Sequence, residues 1–229
     1  MAVVVRYPGR LCLLGEHCEW AGGASLVIPL SQSLAVHVEP ARTGLSASAA
    51  LGGELLHGRW PVDGGPIPDS GALRLVPAAA SVLAEHGIHP RPCRLRIEGD
   101  LPPGRGFASS TATCLGVLDG LARHAGVSLS PLRLAELACE VEHGRLGAAG
   151  GRLDALACAL ARPAWIRWFP GPDSECRPVV RRLRAGATLH FVVACIPRPR
   201  DTQAIVRTLR HAAGGDLRDA LQAERVRRV

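Results

Sequence analysis

LPPGRGFASSTATCLGVLDGLARHAG, residues 101–126, decides how this chain is read. Two prolines lead into Gly104 and Gly106. Ser109 and Ser110 follow, and an apolar pattern of helical period runs on from them. Leu115, Leu118 and Leu121 make one stripe, with Val117 beside it, which predicts a helix over about 109–124. Glycine reaches positive φ and admits close backbone approach. A helix start presents free N–H groups and the positive end of its dipole. The loop is either a turn with a serine cap or a cradle for a phosphate, and its spacing alone leaves both open. It is not the Walker pattern, because no Gly-Lys-Ser/Thr follows, and it does not fit G-x-G-x-x-G.

Outward from that loop the chain alternates between strand and helix signals. CRLRIEG, Cys93–Gly99, alternates and reads as a strand. Before it, Leu73 to His86 has helical spacing and stops at Gly87. Residues 41–70 are rich in Gly, Ala and Pro and read as loops with short strands. VVVRY, LCLLG, ASLVIP and LAVHVE read as four short strands parted by PGR, AGG and SQS turns. After the loop's helix, Ser130-Pro131 is a cap and first-turn pair that starts a helix running to about His143. GRLDALACALA reads as a further helix, Thr188–Ile196 as a buried strand, and two helices are expected from Thr202 and Asp216. Strands first, then helices between single strands, point to an α+β fold.

Composition narrows the function. The chain has 229 residues, 47% of them hydrophobic, which is enough for a real core. All 27 basic residues are arginine, and the formal charge is +7. That balance suits an anionic partner, a nucleotide as well as a nucleic acid. The arginines are scattered and aromatics make up only 3%, so nucleic acid is not the expected partner. Eight cysteines form no C-x-x-C pair, and most sit in apolar runs. They suit buried thiols in a cytoplasmic protein better than a disulfide framework or a zinc site. The first residues lack the apolar core of a signal peptide, and no apolar run approaches the ~20 residues of a membrane span.

PPGRGFASSTA resembles the second motif of the GHMP kinases, the superfamily of galactokinase, homoserine kinase and mevalonate kinase. In that family P-x-G-x-G-L-x-S-S-A wraps ATP phosphates; here Phe107 stands for leucine and Thr111 for alanine. YPGRLCLLGEHCEWAGG, residues 7–23, is similar to the first motif in its galactokinase form, P-G-R-x-N-L-I-G-E-H-T-D-Y. Cys12, Glu19 and Trp20 replace its Asn, Asp and Tyr. VEHGRLGAAGGRLDALA, residues 141–157, resembles the galactokinase stretch from a Glu-His pair to a catalytic aspartate. The three motifs stand in the family's order, and the resemblance covers about residues 1–210. The resemblance implies the α+β fold of the GHMP kinase N-terminal domain, also found in ribosomal proteins, over residues 1–185. An incomplete C-terminal domain would occupy 186–229, where the family's third glycine-rich motif has no counterpart.

The resemblance also implies roles. ATP would lie along Pro103, Gly104, Arg105, Gly106, Phe107, Ala108, Ser109 and Ser110. Ser110 and Glu142 would ligate Mg²⁺, for which hard oxygens are the fitting donors. Asp154 would take the acceptor's hydroxyl proton, and Arg10 would steady it and the transferring group. Glu16, His17 and Glu19 would line a pocket for a small-molecule hydroxyl acceptor, sugar-like, because a carboxylate accepts from two hydroxyls at once. Without the family match, Glu142 reads as a solvated helix carboxylate, Asp154 as a first-turn aspartate and Arg10 as a turn arginine. Mevalonate, an amino alcohol, or nucleotide binding without catalysis are the alternatives. The oligomeric state is left open.

Overall fold

The computed structural model describes residues 2–51, 53–69, 71–148, 151–170, 176–184 and 190–194. Seven strands form one sheet: β1 (Val3–Leu14), β2 (Ala24–Pro40), β3 (Leu45–Leu51), β4 (Glu54–Trp60), β5 (Cys93–Gly99), β6 (Ala164–Pro170) and β7 (Cys176–Arg182). Their order is β4-β3-β5-β2-β6-β7, with β1 paired to β2 off that path. All pairs are antiparallel except β3 with β5. A parallel pair needs a crossover, and α1 (Leu75–Glu85) lies in the chain between its two strands. Helices α2 (Ser109–His124), α3 (Pro131–Cys139) and α4 (Leu153–Leu160) follow, with a π-helical turn over Glu140–Arg145 between the last two.

The first forty residues differ from the four short strands expected. They form two long strands, and neither PGR nor SQS is a turn. The two stretches face each other at a register shift: Pro8 pairs with Ser33, and Arg10 pairs with Pro29. Glycine, proline and serine bend a long strand as readily as they end a short one, because a bulge needs the same freedom as a turn. Only the Ala21–Gly23 break is a genuine connection, following a 3₁₀ turn over Cys18–Ala21.

The core lies between one face of the sheet and the helices. Leu45, Ala47 and Ala49 of β3, Leu95 and Ile97 of β5, and Val36 and Val38 of β2 are buried there. Leu115, Leu118 and Leu121 of α2 cover them, as the stripe predicts. A Cβ at Gly116 would come within 2.7 Å of Val36, and one at Gly120 within 2.9 Å of Val38. These two glycines, one helical turn apart, let α2 lie directly on β2. Overpacking either position would cost on the order of 1–3 kcal/mol.

Other expectations stand as follows. β5 and α2 match residue for residue. Ser130 caps α3, accepting from the Arg133 N–H at 3.2 Å, with Pro131 next. β3 and β4 fall within the stretch read as loops with short strands, and β6 and β7 were not anticipated. Of the strand expected over 188–196, His190–Ala194 is described, and it has no regular structure. Val192 is 102% exposed. The run is apolar enough for a buried strand, but none of the described strands pairs with it. The helices expected from Thr202 and Asp216, and most of the second domain, lie outside the described residues.

Candidate active site

The loop before α2 is held open by three left-handed residues. Gly104, Gly106 and Ala108 have φ of 67°, 80° and 60°. Ala108, not a serine, takes the N-cap position, and no side chain caps the helix. This removes the serine-cap reading: Ser109 and Ser110 lie in the first turn, and the N-cap residue provides no side-chain acceptor for the N–H groups there. They point to a place where an anion is favoured. Phe107 is buried against Leu34, Leu101 and Ala112, so its side chain anchors the loop.

Pro103, Gly104, Ser109 and Ser110 open onto a cavity of about 540 Å³. Thr113 and Glu142 complete its polar part. Leu51, Ala72, Leu75, Leu101 and Leu146 make an apolar wall. Arg105, Gly106, Phe107 and Ala108 do not line it. A site with a polar anion-binding part and an apolar wall suits a nucleotide. The apolar wall comes from four separate segments, and no local motif announced it. Arg74 closes one side by donating to the Leu146 carbonyl at 3.0 Å.

Glu142 sits on the π turn and faces the start of α2. Thr111 donates its hydroxyl to Glu142 at 2.9 Å to Oε2 and 3.2 Å to Oε1. The Ser110 hydroxyl also favours the charge of this carboxylate. Burial pushes the Glu142 carboxyl up to about 7, against the two hydroxyls and with the help of Asp154's charge. Among the described residues no three His, Cys, Asp or Glu side chains group closely enough to hold a metal. The Ser110–Glu142 pair fits Mg²⁺ rather than a metal that needs a protein cage. Mg²⁺ keeps several waters and shares phosphate oxygens, so one or two protein oxygens suffice.

Arg10 joins this site to the next. It is 7% exposed. Its Nε donates to Asp154 Oδ1 at 2.7 Å, its Nη1 to the Gly106 carbonyl at 3.2 Å, and its Nη2 to Glu16 Oε1 at 2.9 Å. Its backbone N–H donates to the Phe107 carbonyl at 3.2 Å. Burial opposes the charge, but Asp154 and Glu16 outweigh it and hold the guanidinium above its ordinary range. The glycine loop before α2, Asp154 and Glu16 therefore share one planar fork, a task lysine's point charge cannot perform.

Asp154 lies in the first turn of α4, with its side chain 34% exposed. Glu16 is more open at 44%. His17 is partly buried and left-handed, with φ 63°, at the start of the 3₁₀ turn. Glu19 stands apart from these two: it is only 5% exposed. Burial first, then Asp154's charge, push its carboxyl up to about 7. Burial and the neighbouring Glu16 raise the Cys12 thiol to about 12, which leaves it no nucleophile at neutral pH.

Residues 74–162 match the family model described as "GHMP kinases N terminal domain". This chain carries a GHMP kinase N-terminal domain. It is 32% identical over 183 residues to a galactokinase of Mycobacterium tuberculosis, covering 78% of this chain and 49% of that one. Among solved structures it is similar to a Methanococcus jannaschii mevalonate kinase, with TM-score 0.65 and 15% identity over 81% of this chain and 56% of that one. It is also similar to Lactococcus lactis galactokinase in complex with galactose, with TM-score 0.64 and 17% identity over 79% and 47%. These two show the fold alone. The chain spans about half the length of the curated relatives it matches. Among the described residues, no helix is long and apolar enough to cross a membrane.

Proposed function

We propose that this GHMP kinase domain serves transfer of the γ-phosphoryl group of Mg-ATP to a hydroxyl of a sugar or related polyol. The observation that carries this is the Arg10 fork. One buried guanidinium holds a partly exposed carboxylate, Asp154, and a carbonyl of the anion-favouring loop. A carboxylate positioned beside a triphosphate site is what a hydroxyl acceptor needs, since phosphoryl transfer asks mainly for positioning and charge stabilisation.

In this reading the first-turn N–H groups of α2 and the loop amides bind phosphate oxygens. The apolar wall of Leu51, Leu75 and Leu146 covers the nucleoside. Ser110 and Glu142 hold Mg²⁺, which when bound offsets charge on the phosphates. Asp154 accepts or orients the acceptor's hydroxyl proton. Arg10 keeps Asp154 in place and supplies a fixed positive charge beside the reaction. Glu16 and His17 face the acceptor. The galactokinase relatives support a sugar; a mevalonate-type or amino-alcohol acceptor is the runner-up.

Coupled ADP release across galactose, other sugars, mevalonate, homoserine and threonine tests this. Release stimulated by a sugar is the expected outcome. A second reading is nucleotide binding without turnover, which the cavity beside the loop supports by itself. It predicts thermal stabilisation by Mg-ATP and no acceptor-dependent ADP at all, and that pair of results would sink the kinase proposal for this chain.

A further inference from the structure

Glu19 occupies the position where the galactokinase motif has aspartate, and the motif sends that side chain to the acceptor. The geometry here sends it elsewhere. Glu19 is buried, and its carboxylate lies against the backbone that enters α4, where the N–H groups of Leu153 and of Glu19 itself favour its charge. A Cβ on Gly151 would fall 1.4 Å from Glu19 Oε1. The carboxylate therefore occupies the space that any side chain at 151 would need. Its other oxygen, Oε2, is buried with no hydrogen-bond partner. Asp154, next along the helix from Leu153, is the charge it feels most strongly.

We infer that Glu19 is a positioning residue for Asp154, acting as the cap of α4, and that it does not contact the acceptor. The inference rests on the proposed role of Asp154 as the group that handles the acceptor's proton. Arg152, at the N-cap position of α4, provides no side-chain cap. A free helix N–H beside the base would leave the first turn loose, and Asp154 lies in that turn. The extra methylene of glutamate over aspartate supplies the reach from the 3₁₀ turn to Leu153, and Gly151 supplies the room. Glu16 is then the one carboxylate of the first motif that faces outward. The acceptor is recognised through a single carboxylate already oriented by Arg10.

Three variants of the full chain test this: Glu19→Gln, Glu19→Asp and Glu19→Ala. Glutamine keeps an acceptor oxygen at the same reach, whereas aspartate falls short and alanine has none. Amide exchange at Leu153, measured without substrate, is expected to quicken about tenfold in Glu19→Ala and Glu19→Asp and to stay near wild type in Glu19→Gln. With Mg-ATP and galactose as the probe acceptor, kcat is expected to fall about tenfold in the same two variants, with KM for galactose within about twofold of wild type. Glu19→Gln should restore kcat. Unchanged Leu153 exchange in Glu19→Ala overturns the inference. So does a large rise in galactose KM at constant kcat, the mark of direct acceptor contact. A wild-type chain that releases no ADP with any acceptor removes the kinase reading alone, because the exchange measurement needs no turnover.

Discussion

The proposed donor side and the proposed acceptor side of this site are built in different ways. The donor side is backbone: left-handed Gly104, Gly106 and Ala108, then the uncapped start of α2. The acceptor side is side chains on a short 3₁₀ turn, tied to Arg10 and to the start of α4. A backbone cradle tolerates change in its side chains, which is why phenylalanine can replace leucine at 107 and simply anchor the loop. A side-chain pocket does not, and one methylene at Glu19 redirects a carboxylate. Arg10 touches both sides. Changes on it should damage both functions, while changes on one side should spare the other.

The largest effect is expected at Asp154. Asp154→Asn keeps the shape and removes the proton acceptor, so kcat should fall by roughly 10²–10⁴-fold. Nucleotide affinity, read by calorimetry with Mg-ADP, should stay within about threefold because the donor side is untouched. Full turnover by this variant would remove Asp154 from the chemistry. Arg10→Met comes next and breaks the comparison itself. It leaves Asp154, Glu16 and the Gly106 carbonyl without their donor. Both carboxylates are partly exposed, so water recovers some of the loss, and destabilisation should be about 1–3 kcal/mol rather than the larger cost of a fully buried pair. Nucleotide affinity and kcat should fall together. Arg10→Lys should not rescue either, since an ammonium cannot reach the three acceptors in one plane.

Local pattern made half of this molecule readable. α2 and β5 follow from periodicity over a single window, and their ends agree with the structure. The glycine loop that opens α2 is readable for the same reason, since glycine spacing and a following helix are neighbours in sequence, whereas its role is not read from spacing alone. What local pattern does not carry depends on distant partners. Arg10 meets Asp154 across 144 residues, a pairing that only the family resemblance implies, and Thr111 meets Glu142 across 31, a pairing that nothing in the sequence implies. Thr111 stood out only as a substitution for alanine, and nothing near it in sequence says which carboxylate it faces. β1 and β2 were cut at PGR and SQS because bulge and turn use the same residues. They could be told apart only by finding that the two stretches face each other. Glu19 kept its family role on paper because burial is a property of the whole fold.

A smaller effect distinguishes the two buried carboxyls by pH. Glu19 and Glu142 are both pushed up to about 7 by burial, above the 4.5 they have when unfolded. Between those values the folded chain holds protons that the unfolded chain releases. Stability is therefore full below about pH 4.5, falls as pH rises toward 7, and levels off above it. The nucleotide-free chain should melt lower at pH 8 than at pH 5.5, by on the order of 1–3 kcal/mol for each carboxyl. Glu142→Gln and Glu19→Gln should each flatten part of that slope. Mg-ATP should reverse the Glu142 share only, because a cation on the donor side favours the ionised carboxylate there. A pH-independent melting point in the nucleotide-free wild type would contradict both assignments.

Thr111 offers the mildest test and the one confined to the donor side. Its hydroxyl donates to Glu142, where the family pattern has alanine and therefore no donor at all. The Ser110 hydroxyl also favours the charge on Glu142 and is the proposed metal ligand. When Ser110 turns to Mg²⁺, Thr111 remains to fix the carboxylate. Thr111→Val removes the hydroxyl at nearly constant volume in a position 5% exposed, so packing is little disturbed. A hydrogen bond to a charged group is worth about 1.5 kcal/mol, so Mg²⁺-dependent ADP binding should weaken by roughly tenfold. Thr111→Ser should keep it. Acceptor KM should not move, because Glu16 and His17 belong to the other side. If it does move while Mg²⁺ affinity stays constant, the two sides are coupled through α2 rather than through Arg10.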